Sequence, residues 1–154
     1  MQPYLLALGI GFVAGLRTFT APAAVCWGAR MGALALNGTP FSFMGSKPAA
    51  IVFTLLALGE YVGDLLPKTP NRTSTGPLIA RIISGGLCGA SLFSSVGQSW
   101  ILGALAGAIG AIVGAFAGYN ARKKLVETLK VKDAMIAIPE DLVAIGLAYL
   151  FAIA

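Results

Sequence analysis

The sequence predicts an all-α membrane protein, a polytopic bundle of about five transmembrane helices, on three observations. Of 154 residues, 57% are apolar and only 11% are charged, with a mean hydropathy of +0.84. A soluble domain carries about 25% charged residues, and a chain this small leaves much of its surface exposed, so lipid is the solvent that suits it. The apolar residues also fall into five stretches near the ~20 residues a spanning helix needs. Between them lie short segments rich in Gly, Pro, Ser, Asn and basic residues.

The expected spans are 3–28, 48–66, 77–95, 99–119 and 138–154, forming one integral membrane domain over 1–154. The first stretch reads as a membrane helix rather than a cleaved signal: no Lys or Arg precedes its apolar run, and Arg17 interrupts it. Segment 29–47 is a loop, and 67–76, with Pro67 and Pro70, is a strong breaker. Segment 120–137 carries Arg122, Lys123, Lys124, Lys130 and Lys132 and is expected to form a short amphipathic interfacial segment. The 67–76 and 120–137 segments hold seven basic residues against two, Arg30 and Lys47, in 29–47. Basic loops stay cytoplasmic, so five spans place the N-terminus inside and the C-terminus outside.

The net charge of +5 is absorbed by these loops and does not call for nucleic acid. There is no His, so the usual near-neutral acid–base group and commonest metal ligand are missing. Cys26 and Cys88 lie in apolar stretches and read as packing residues. No metal, no cofactor and no catalytic residue is expected, and the chain is not read as an enzyme. GxxxG spacings at Gly11/Gly15, Gly59/Gly63, Gly85/Gly89, Gly103/Gly107 and Gly110/Gly114/Gly118 mark helix-packing faces. A weak parallel internal repeat is visible: Arg17-Thr-Phe-Thr20 resembles Arg81-Ile-Ile-Ser84, and Gly59–Gly63 resembles Gly114–Gly118.

The charges inside the spans carry the functional expectation, because a charge in the bilayer core costs about 2.5–3.5 kcal/mol even on translocon scales. At ~1.5 Å per residue from the cytoplasmic end, Arg81 lies ~6 Å in, Glu60 ~9 Å in and Arg17 ~21 Å in. Asp64 shares a helix face with Glu60, and Glu140 and Asp141 enter from the same side after Pro139. As openers of the last span they also complement its helix dipole. Thr18, Thr20 and Ser84 add hydroxyls beside the arginines. Arg17, Thr18, Thr20, Glu60, Asp64, Arg81, Ser84, Glu140 and Asp141 are therefore the candidate site for a small polar or ionic solute, in a transporter or channel. The alternative is a structural or assembly protein whose buried charges only fix helix packing. A bundle this thin encloses a path most easily between subunits, so a homo-oligomer in the lipid bilayer is expected.

The stretches GLRTFTAPA at 15–23, GEYVGDLLPKTPNRT at 59–73, Arg81 to Gly89, and PEDLVAIG at 139–146 resemble the small bacterial membrane proteins grouped as domain of unknown function 4126. The resemblance covers nearly the whole chain. It implies a multi-pass protein of the bacterial inner membrane and assigns no activity and no site residue.

Overall fold

The computed structural model describes residues 2–66 and 73–154. Lys68 and Arg72, and with them most of the 67–76 breaker, lie outside the described residues. Those described are all-helical: α1 (Pro3–Leu16), α2 (Thr20–Arg30), α3 (Lys47–Asp64), α4 (Thr75–Ser95), α5 (Trp100–Leu129) and α6 (Asp133–Ile153), with one 3-10 turn at Ser42–Gly45. Among them α4, α5 and α6 are long and apolar enough to cross a membrane. Their outward faces are apolar and exposed, as at Leu105, Ile109, Val113, Leu142 and Tyr149. These are the properties of a helical membrane protein.

The first departure from expectation is at Arg17. The stretch 3–28 is not one helix but two, because Arg17 takes an extended conformation (φ −141°, ψ 117°) and ends α1. The chain then reverses. Gly9 of α1 faces the ring of Phe151, and Gly28 of α2 faces the carbonyl of Ala152, both near the end of α6. Arg17, between them, pairs with Asp141, ten residues earlier on α6. α1 therefore runs against α6 and α2 runs with it, so the two form a hairpin with Arg17 at its tip. With 14 and 11 residues, its arms are about 21 and 17 Å long, short of the ~30 Å hydrocarbon core.

The remaining helices follow in alternation. Trp27 reaches Thr54 (3.0 Å) and Thr20 reaches Tyr61 (2.6 Å), so α3 runs against α2. Tyr4 packs edge-on against Phe93 with centroids 4.9 Å apart, while Arg81 reaches Leu16, so α4 runs against α1. The same-direction pairing of spans one and three behind the parallel repeat is thus corrected to an antiparallel one. α5 packs against both with backbone nearly touching backbone. A Cβ on Gly107 would strike the carbonyl of Gly85, and one on Gly11 would strike the carbonyl of Gly107. Gly59 and Gly63 differ: no described residue lies within 4 Å of the space their side chains would take.

Both termini consequently lie at one end of the bundle, with the 31–46 and 96–99 connections, and the Arg17 tip points to the other. The expected N-inside, C-outside arrangement rested on 3–28 crossing once. Two further boundaries differ. α5 continues unbroken to Leu129, so the first half of 120–137 is an extension of that helix rather than a separate interfacial element. α6 starts at Asp133 and carries Pro139 within it, so Glu140 and Asp141 stand beyond its first turn and do not cap it.

Candidate functional site

A helix broken inside a membrane leaves backbone amides and carbonyls without partners, tolerated only where protein or a polar cavity satisfies them. The charged residues do this at the hairpin tip. Glu60 of α3 accepts from the backbone N–H of Thr18 (2.8 Å) and of Phe19 (3.1 Å), placing a carboxylate at the N-terminal end of α2, where the helix dipole favours it. Arg81 of α4 donates to the last carbonyls of α1, those of Leu16 (3.0 Å) and Gly15, and lies 3.6 Å from Glu60. The Ser84 hydroxyl donates to the Thr18 carbonyl.

At the turn itself, Arg17 is fully buried and forms ion pairs with Asp64 and Asp141. Its guanidinium lies 5.6 Å from the centre of the Tyr61 ring, whose hydroxyl pairs with Thr20, a cation–π arrangement. Arg122 of α5 completes the network. It grips Asp133 through two nitrogens (2.6 and 2.7 Å) and approaches Asp64 (3.3 Å) and Glu140 (3.7 Å). Five of the six acidic side chains in the sequence, all but Glu127, are drawn into this one cluster.

All nine residues expected from the sequence are thus brought to one end of the bundle. Arg17 is not far beyond the rest: the hairpin brings it level with Asp64, whereas one straight span would have carried its neighbours onward. The nine do not share one surface. An open cleft of about 980 Å³ lies between α3 on one side and α4 and α5 on the other, under the tip. Thr18, Glu60, Asp64 and Arg81 line it, whereas Arg17, Thr20, Ser84, Glu140 and Asp141 do not. Gly59 and Gly63 form part of its α3 wall, and among the described residues none lies within 4 Å of their Cβ positions.

Arg122, Tyr61 and Asp133 were not anticipated. Arg122 reads as one of a run of loop cations, yet it stands four residues after Gly118, in the register of the small-residue stripe Gly110/Gly114/Gly118 that faces the bundle. That spacing separates it from the exposed Lys123 and Lys124.

No curated protein and no solved structure matches the chain. A family model does, over residues 4–154, and the chain belongs to the family described as domain of unknown function DUF4126.

Proposed function

We propose that this chain is a small transporter or channel of the bacterial inner membrane, and that its polar or ionic solute enters the cleft under the hairpin tip. The observation that carries the reading is the coincidence of a helix break, an ion-pair network and an open cleft at one depth. Transporter sites are built in this way, from discontinuous helices whose ends face a cavity near charged groups. The positive-inside rule assigns the cleft end to the cytoplasm, since the seven-to-two basic count is unchanged by the hairpin. Both termini then lie outside. Cysteines placed at residue 2 and after residue 154 are expected to react alike with an impermeant maleimide added to intact cells. Labelling of one terminus alone would restore an odd number of crossings.

Gly59 provides the test of the cleft. It sits inside α3 on the cleft wall with no described residue within 4 Å of its Cβ position, so a leucine there is directed into the cleft and removes a helix-interior glycine worth about 0.8–1.0 kcal/mol. Gly59→Leu is expected to melt at or above the wild-type temperature and to abolish solute flux into proteoliposomes, scanned over small anions and cations at two pH values. Saturable flux that survives in this variant would remove the cleft from the pathway. The structural reading draws on a different observation, the engagement of Arg17, Arg81 and Arg122 with backbone and carboxylate partners. A wild type silent across the panel, in vesicles where it is folded, would favour that reading.

A further inference from the structure

We infer that the ligand of this cleft is a membrane amphiphile with a zwitterionic phosphate–ammonium head, its acyl chain held inside the cleft and its head at the rim. The inference rests on reading the cleft as the site and names the class of molecule that fits it.

The first argument is the shape of the opening. α3 packs on α2, α6 and the Ser42–Gly45 turn, and stands away from α4 and α5. The cleft between them is open rather than enclosed, and leucines on the α3 side, Leu55 and Leu66, are more than half exposed. A gap of this kind in a membrane protein meets lipid before it meets water.

The second argument is the order of the lining along the helices. Leu55 and Leu56 stand eight or nine residues back from Asp64, which places them ~12–14 Å deeper toward the bilayer centre. Arg122, paired with both Asp64 and Asp133, marks the outer level. Lys123, Val126 and Glu127 follow Arg122 outward along α5. The deepest lining residues of α3 are leucines and its charges lie farther out, with Leu66 and Val126 interspersed at the outer level, an order that suits an acyl chain below and a polar head above.

The third argument is charge. The arginines and carboxylates of the wall are engaged with one another or with backbone. Among the described residues, the lining charges without an ion-pair partner are Lys123 and Glu127. They have opposite signs and lie one turn apart on the same face of α5, separated by ~6 Å along the axis, with the cation deeper. A phosphate at Lys123 with an ammonium beyond it at Glu127 matches phosphatidylethanolamine in sign and order. An anionic head would meet Glu127 with repulsion.

The experiment is native mass spectrometry of the detergent-purified chain after exchange into mixed micelles of palmitoyl-oleoyl phosphatidylethanolamine or phosphatidylglycerol. Calorimetry with water-soluble phosphoethanolamine runs beside it. The chain is expected to retain the ethanolamine lipid over the glycerol lipid and to ignore the soluble head. Gly59→Leu is expected to retain neither while melting like the wild type. Lys123→Glu, on an exposed surface, is expected to lower retention by up to about fivefold, the upper end for an exposed ion pair. Equal retention of both lipids overturns the zwitterion assignment, and binding of phosphoethanolamine as tight as that of the lipid overturns the amphiphile. Retention unaffected by Gly59→Leu places the lipid elsewhere and overturns the inference. If Gly59→Leu blocks flux of a soluble solute while no lipid is retained, the inference fails and the transport reading stands. If the ethanolamine lipid is retained in the cleft and no solute is moved, the transport reading fails and the ligand class stands.

Discussion

Arg17→Ala is expected to destabilise the protein by about 3–5 kcal/mol, the cost of removing one member of a buried ion pair and stranding the other. Arg17 is fully buried, and it is the ion-pair partner of Asp141, whose side chain is largely buried beside it. Asp64 fares better, since Arg122 lies 3.3 Å from it on the other side. The loss is therefore assigned mainly to Asp141, and the double variant Arg17→Leu/Asp141→Leu tests this. Replacing both members with apolar groups removes the stranded carboxylate, so much of the stability should return. Thermal unfolding in detergent is the measurement, with a fall of about 10 °C expected for the single change. A double variant no more stable than Arg17→Ala would show that the pair with Asp141 is not what the guanidinium contributes.

The same contacts explain what the sequence does and does not disclose. The apolar stretches, the breakers and the intramembrane charges are local properties, and they lead to a helical membrane protein with Glu60, Asp64, Arg81 and Asp141 at one end. The reversal at Arg17 is not local. Residues 3–28 are apolar on both sides of Arg17, and within GLRTFTAPA the local signals against a continuous helix are the charge itself and Pro22, which has no N–H to give the Thr18 carbonyl. The break is stabilised by groups 40 or more residues away: Glu60 on the Thr18 and Phe19 amides, and Arg81 on the Gly15 and Leu16 carbonyls. A helix end satisfied from another helix leaves no capping signature in its own sequence. Once the hairpin is overlooked, 3–28 is counted as one straight helix and the two ends of the chain are set at opposite ends of the bundle, whereas the structure brings them to the same end.

The glycines show the same limit in the opposite direction. Gly59/Gly63 and Gly103/Gly107 have identical spacing, yet one pair lines an open cleft and the other lies in a backbone-to-backbone contact. Spacing places both residues of a pair on one face, and only the tertiary arrangement decides what that face meets. The polar residues divide likewise into those that seal the hairpin, such as Arg17 and Ser84, and those that also face the cleft, such as Glu60 and Arg81. One-dimensional depth could not separate the two sets, because all of them lie within a few turns of the same end.

Gly107→Leu is expected to abolish the folded protein, the largest effect of any single change considered. Gly107 lies where three helices meet, its Cβ position filled by the Gly85 carbonyl of α4 and its own carbonyl facing Gly11 of α1. Ordinary overpacking costs about 1–3 kcal/mol because side chains rotate aside. Here the opposing atoms are backbone, and helices without a hydrophobic force between them in lipid rely on this close approach for their dispersion contacts. Separating α5 from α4 and α1 would also pull Arg81 from the Leu16 carbonyl and open the hairpin tip. Even Gly107→Ala, which gains about 1 kcal/mol of helix propensity, is expected to lower the melting temperature. Gly59→Leu is the matched control, a larger side chain at the same kind of residue in another helix, with the opposite expected outcome. Size-exclusion profiles and thermal melts of the three variants decide the matter. A monodisperse Gly107→Leu protein with wild-type stability would mean that α5 does not pack between α1 and α4, and the hairpin arrangement would fall with it.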